Sequence, residues 1–504
     1  MVKKYIKKNV TLINAVSSFA LQIVTIISGF IIPKLILMTF GSEVNGLIAS
    51  FNQFFGYITL VEGGLTSVVM AKLYKPLVNK DIKKTSSIIN TTKKFYNKLA
   101  MIFIIYTIGL AIVYPLIIET SFSYIYVSSL GMILGISLFI QYNFALALRI
   151  LLNADKKVYI VSITQIMVLI TNIISFVLVI KVFPNIHILK LITGMTYFIQ
   201  PIIYEKYVKK HFEIDKNAEA DTELIKDRWD GFAISVAAFI HNNTDVIILS
   251  LFTNLKVVSI YSVYSLVTSG LKQLAQSISV GIVPAIGNAY VENDSYKLNS
   301  IFNLYEYIMF LTTGFLFSVG GLLITPFVLL YTSNINDINY NEPVFGIILI
   351  IAEAIYCIRE PYLNLAFSAN RFKEIRRGAY LEAILNIIVS LILVFKIGIV
   401  GVGIGTLVAM IYRTMYQVIF LKYNILNRDF KIFAKRFVIF LICTILGISI
   451  CTFIKGFFDL TLISWVIQAG LYSSIMIIVY IIMSIIFFRD EFFKLKNIIV
   501  KKSV

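Results

Sequence analysis

The sequence predicts an all-α integral membrane protein with about fourteen transmembrane helices and both termini in the cytoplasm, and three observations predict it. Of 504 residues, 58% are hydrophobic and only 14% are charged, against roughly 25% charged in soluble domains. No soluble fold of this size hides that much apolar surface, because water-facing area grows with the chain. The apolar residues also gather into stretches long enough for spans of about 20 residues. Finally, Lys and Arg fall mainly in alternate gaps between those stretches, as cytoplasmic loops do.

The elements follow in order. Lys3, Lys4, Lys7 and Lys8 precede an apolar run that continues to about Phe40. That run is too long for the apolar core of a signal peptide and has no small-residue cleavage site, so it predicts the first span. The first lobe reads 10–40, 43–70, 97–118, 123–148, 158–181 and 186–205. The second reads 229–253, 257–289, 300–331, 344–367, 379–396 and 400–421, and a last pair reads 437–455 and 462–488. Several exceed 20 residues, which predicts tilt or extension beyond the bilayer.

With the N-terminus inside, the inner segments are the tail, 71–98, 149–157, 206–228, 290–299, 368–378, 422–436 and 489–504. Together they hold 36 of the 45 basic residues. The other nine are Lys34, Lys181, Lys190, Lys256, Lys272, Arg359, Lys396, Arg413 and Lys455. This asymmetry predicts an even number of spans. The most hydrophilic break, 206–228, sets the division: an N-terminal lobe over 1–228, a C-terminal lobe over 229–436, and a helix pair with a cytoplasmic tail over 437–504.

The same loops account for the net charge of +18. Nucleic acid is not an expected partner, since the basic residues never build one large polar domain. Cys357, Cys443 and Cys451 lie inside apolar stretches and predict no disulfide framework. His187, His211 and His241 are too scattered for a metal site.

A repeat supports two lobes of the same orientation. Segment 154–181 reads ADKKVYIVSITQIMVLITNIISFVLVIK, and 369–396 reads ANRFKEIRRGAYLEAILNIIVSLILVFK. Ala154 and Ala369 lie 215 apart, Asn172 and Asn386 214, Lys181 and Lys396 215, and Glu43-Val44 matches Lys256-Val257 at 213. Six helices per repeat gives parallel halves around an axis along the membrane normal, with the substrate site between them.

Ionisable residues at membrane depth are expensive and mark function. Ser262, Ser265, Ser269, Lys272, Gln276 and Ser279 recur at helical spacing and share one face. Shifted by 213, Ser265, Lys272 and Ser279 fall on Asn52, Thr59 and Thr66, so both helices are expected to line one cavity. The alternative is that the face glues helices together, or that Lys272 pairs permanently with Glu62. Asp245 follows His241 by four residues, which suits either an ion-coupling site or a structural polar pair. Glu353, Cys357, Glu360 and Asn364 form another face, with Arg359 pointing elsewhere and Pro361 breaking the ladder just after. A transporter hinge and a simple kink with a local Arg–Glu pair both fit. Arg413 is expected in the cavity or snorkelling to the inner interface. Gly398, Gly401, Gly403 and Gly405 open a predicted membrane helix, so close packing is expected rather than a nucleotide loop. No GxxxxGK[ST] sequence occurs, so no nucleotide cofactor is expected, and energy must come from Na+ or H+, the cargo gradient or a partner.

The stretch from Asn370 to Arg413, NRFKEIRRGAYLEAILNIIVSLILVFKIGIVGVGIGTLVAMIYR, resembles the polysaccharide branch of the multidrug/oligosaccharidyl-lipid/polysaccharide exporter superfamily. FGSEVNGLIASFNQFFGYITLVEGGL (40–65) and LLNADKKVYIVS (151–162) are similar to the same family. The resemblance implies a bacterial cytoplasmic-membrane flippase working by alternating access. Its implied cargo is a polyprenyl-diphosphate-linked oligosaccharide, moved from the inner to the outer leaflet, with polysaccharide polymerase machinery as a partner. The expected cavity residues are Lys272, Arg359, Arg413, Ser265, Ser269, Gln276, Asn52 and Thr59. Glu62, Asp245, His241, Glu353 and Glu360 are expected to couple an ion or form ion pairs. A drug or cation antiporter should have a cavity dominated by carboxylates, which Lys272 disfavours. A membrane-embedded polymerase needs a sizeable outer domain, and the longest outer connection is only about 332–343.

Overall fold

The computed structural model describes residues 10–58, 65–215, 217–219, 243–292, 294–455 and 459–501. Thr59, Glu62 and His241 lie outside the described residues. What is described is almost wholly helical. The order is α1 (Val10–Gly56), α2 (Leu65–Asn79), α3 (Ile82–Ile117), α4 (Tyr124–Ile140), α5 (Leu146–Ala154), α6 (Val158–Val182), α7 (Ile186–Met195) and α8 (Ile199–His211). Then come α9 (Asn243–Phe252), α10 (Leu255–Val291), α11 (Ser295–Tyr331), α12 (Pro343–Ser368), α13 (Phe372–Leu421), α14 (Phe430–Lys455), α15 (Leu462–Phe487) and α16 (Arg489–Lys501).

Among the described residues, nine helices are long and apolar enough to cross a membrane. Two of the longest are bent. In α1 the backbone leaves helical geometry at Gly41 (φ 83), and in α13 at Ile397 and Gly398 (φ 56, ψ −132). Both bends fall in gaps between expected spans, 41–42 and 397–399. Gly398 occupies a region of φ/ψ space that only glycine visits readily. The next glycines serve close packing. A side chain at Gly401 would overlap the Leu393 backbone, and one at Gly405 would overlap Ser390.

Apolarity marks only the part of a helix that meets lipid, so polar extensions escape it. Helix α3 starts fifteen residues before the expected span, at Ile82, because Asp81 caps it by accepting from the Lys84 amide at 2.9 Å. One turn of π-helix, Gln141–Ala145, joins α4 to α5 inside an expected single span. Helix α16 has no counterpart among the expected elements.

Structural details recur with the period of the sequence repeat. Asp294 caps α11 through the Lys297 amide at 2.9 Å, 213 positions after Asp81 and Lys84. Lys156 (φ 59) and Asn370 (φ 54) are left-handed residues 214 apart, each just before a helix. Asn172 accepts from Thr196 at 2.6 Å, and Asn386 donates to Thr406 at 3.1 Å.

The chain divides into two compact units. The first runs through the described residues to 219 and also takes Thr253–Ser259; the second holds α9 and the chain from Ile260 onward. In the first, Phe51 packs against Phe55 and Tyr114 within one continuous apolar core. Leu255 belongs to that core, its backbone so close to Gly46 that any side chain there would overlap it, and Asn45 donates to Ser259 at 2.8 Å. In the second, the expected final pair α14 and α15 packs on α11, where Tyr480 bonds Thr444 (2.7 Å) and Ser318 (3.3 Å).

The basic-loop pattern predicts which ends face inward. A reporter fused after residue 220 or 430 is expected to read cytoplasmic, and one near 336 external. An external signal at 220 would overturn this orientation.

Candidate functional site

The two polar faces expected on separate helices meet. In the second unit, α10 turns Lys272, Gln276 and Ser279 toward Glu353 and Glu360 of α12. Lys272 Nζ lies 3.1 Å from Glu353 Oε2. Gln276 Nε2 donates to Glu360 Oε1 at 2.6 Å, and Ser279 Oγ to Glu360 Oε2 at 3.3 Å. Asn364, one turn beyond, also donates to Glu360 at 3.2 Å. Lys272 is thus paired, and its described partner is Glu353; Glu62, the partner in the alternative reading, lies outside the described residues. Ser265 is half-buried, while Ser269 on the same helix and Asn52 of the first unit are exposed.

Arg359 points away from this face and is neither a free cavity cation nor a partner of neighbouring Glu360. It pairs with Glu382 of α13 at 3.2 Å. Arg413 joins the same carboxylate at 3.4 Å and donates to the Ile375 carbonyl at 2.8 Å. All three side chains are buried, at 5%, 6% and 7% exposure for Arg359, Arg413 and Glu382. Arg413 therefore does not snorkel. Glu382 escapes the sequence reading altogether. The ring of Tyr356 takes Lys272 at 4.6 Å and Arg359 at 4.7 Å from its centre, a cation–π arrangement that links the two ion pairs.

Asp245 on α9 is buried and held by neutral donors: Thr406 at 2.6 Å, Tyr261 at 3.0 Å and Asn386 at 3.2 Å. None of the ion pairs among the described residues involves it. Asn386 Oδ1, beside it, is a buried acceptor with no described donor. Isolated buried carboxylates are costly unless a proton or cation neutralises them. Among the described residues the carboxylate is thus surrounded by two hydroxyls and an amide.

A second unforeseen cluster centres on Glu306 of α11, which is fully buried. Arg428 (2.6 Å) and Arg436 (2.5 Å) converge on Oε2, and Tyr362 donates to Oε1. Arg436 also reaches Glu491 of α16 at 2.9 Å. Burial disfavours the charge on Arg428, which lies between spans, but Glu306 more than offsets it and raises its pKa. Arg428 and Arg436 read from the sequence as loop charges that set orientation; here they are internal.

On the other side of α12 from its charges, an apolar cavity of about 860 Å³ opens between α11, α12 and α14, lined by residues such as Phe317, Pro326, Ile347, Ile351, Ile358 and Leu441. One helix therefore presents a lipid-like recess on one side and buried charge on the other.

No family model and no curated protein sequence matches the chain. Solved structures do resemble it. The lipid II flippase MurJ, in an inward closed conformation, superposes with a TM-score of 0.73 at 18% identity, covering 95% of this chain and 99% of that one. An inward-facing multidrug resistance MATE family transporter of the MOP superfamily gives 0.61 at 14% identity, covering 80% and 97%. The MATE multidrug transporter DinF-BH gives 0.62 at 15%, covering 84% and 96%. The chain shares the fold of these transporters, which is the architecture that the sequence resemblance implies.

Proposed function

We propose that this protein is a flippase of fourteen spans that carries polyprenyl-diphosphate-linked oligosaccharides from the inner to the outer leaflet of a bacterial cytoplasmic membrane, for assembly of a surface polysaccharide. The observation that carries this reading is the two-sided α12. An amphiphilic cargo needs a recess for its chain and a charged place for its head group. The apolar cavity beside Ile347, Ile351 and Ile358 has the size of a ligand site, and the opposite face carries Lys272 against Glu353. The likeness of fold to a lipid flippase supports the same reading.

Lys272 is the cation assigned to the head group, since its side chain keeps 17% exposure. Arg359 and Arg413, both held by Glu382, are assigned to framing the site. Asp245 is assigned to the coupling ion. The carboxylate alone suffices for H+; Na+ would be held by Asp245 with Asn386 Oδ1 and Thr406. Alternating access then exposes the head-group site to each side in turn, with a polymerase acting on the product outside.

Deleting the protein is expected to deplete a surface polysaccharide and leave its lipid-linked repeat units in the inner leaflet, as measured by lipid extraction and leaflet-specific labelling. Full-length polymer at the surface, with no other flippase present, would overturn the reading. One observation favours a second reading, a drug or cation antiporter: Asp245 is a buried carboxylate without a described counter-cation. Deletion would then leave the polysaccharide intact and sensitise cells to lipophilic cations.

A further inference from the structure

We infer that Glu353 occupies the place of the cargo's phosphate between transport events, and that Lys272 is handed from Glu353 to the cargo and back. The inference deepens the flippase reading above and rests on it. It begins with charge balance. The described ion pairs between α10, α12 and α13 set Lys272 against Glu353, and Arg359 and Arg413 against Glu382, while neutral donors hold Glu360. Each cation already has a carboxylate. An anionic head group entering this set must take a cation away from its present partner.

Only one of these pairs is built to release. Lys272 and Glu353 keep 17% and 16% of their side-chain surface, against 5–7% for Arg359, Arg413 and Glu382. Arg359 and Arg413 share one carboxylate, and Arg413 is tied further to the Ile375 carbonyl. Lys272 has one carboxylate partner, at 3.1 Å, and among the described residues it alone serves Glu353 Oε2. A lysine is a point charge on a flexible stem, whereas a guanidinium is fixed by its planar fork. Lys272 can therefore swing without disturbing the Arg359–Glu382–Arg413 frame, and the Tyr356 ring gives the moving ammonium a second attractive surface at 4.6 Å.

The exchange has a use. A bare lysine at membrane depth would be costly in the empty protein. A permanent, tighter partner would exclude the cargo. Glu353 keeps Lys272 charged and yet displaceable, so the head group meets a cation already in place. The same carboxylate competes for Lys272 when the cargo must leave.

The test uses the purified full chain in detergent, with geranylgeranyl diphosphate and the uncharged alcohol geranylgeraniol as probes in equilibrium binding. Wild type is expected to prefer the diphosphate. Glu353→Gln, which removes the competitor, is expected to bind the diphosphate about tenfold more tightly, Glu353→Asp within about threefold of wild type, and Lys272→Met with no preference over the alcohol. If wild type shows no preference, the anionic-cargo reading fails. If wild type prefers the diphosphate but Glu353→Gln binds it equally or more weakly, the exchange fails and the cargo reading stands. A measurement on wild type covers a Glu353→Gln that does not fold. Labelling of Glu353 by a hydrophobic carbodiimide, mapped by peptide mass spectrometry, is expected to rise when the diphosphate is added. Flat or falling labelling overturns the exchange.

Discussion

Glu306→Ala is expected to destabilise the second unit by about 3–5 kcal/mol, seen as a large fall in the melting midpoint of the purified protein and as poor membrane yield. The carboxylate is fully buried and neutralises Arg428 and Arg436 at 2.6 and 2.5 Å. Removing it leaves two guanidinium groups facing each other in a site that water cannot reach. Arg436 keeps Glu491 as a partner; Arg428 has no second carboxylate among the described ion pairs. The cost therefore comes from stranded charge and not from the lost contact itself. That distinction is measurable. The triple variant Glu306→Leu, Arg428→Met, Arg436→Met removes all three charges and strands Glu491, which is a quarter exposed and can be hydrated, together with the neutral Tyr362 hydroxyl. Replacing a complete buried ion cluster by apolar side chains is often neutral, so the triple variant is expected to recover most of the lost stability. If it melts as low as Glu306→Ala, the cluster acts through shape and the electrostatic account is wrong.

The same cluster shows where reading the sequence stops. Apolar length and the alternation of basic loops are legible because lipid and translocation act on composition along the chain. The bends at Gly41 and Ile397–Gly398 are legible as gaps between spans. The faces of Lys272 and of Glu353 with Glu360 are each legible from the helical period. Their meeting is not, because periodicity says which residues share a face and nothing about which face opposes it. That is why the sequence names Glu62 as an alternative partner for Lys272 and does not bring out Glu353. Glu306 and Glu382 escape for a related reason. Each lies near the inner end of its apolar segment, beside a polar loop, where a charge reads as interfacial. Their burial depends on arginines 23 to 130 positions away. A search for isolated acids within six residues of a span's inner end would find both.

Asp245→Asn is expected to abolish export, by about two orders of magnitude or more, while the protein inserts and melts normally. The substitution keeps the side chain's size and leaves an amide oxygen to accept from Thr406 and Tyr261, now at 2.6 and 3.0 Å. What it removes is the charge. Neutral bonds in such a nest are worth about 1 kcal/mol each, whereas a cation bound to a desolvated carboxylate is worth about 3 kcal/mol or more, the scale of a hundredfold change. Reconstituted into vesicles, wild type should respond to an imposed Na+ or proton gradient, and the variant to neither. Which gradient drives wild type identifies the ion, and Asn386→Ala separates the two further. Na+ coupling should weaken sharply without the Oδ1 ligand, whereas a proton needs only the carboxylate. A purely structural Asp245 predicts the opposite pattern. Asp245→Asn would then lower the melting point and export together, and whatever export remained would keep its dependence on the gradient.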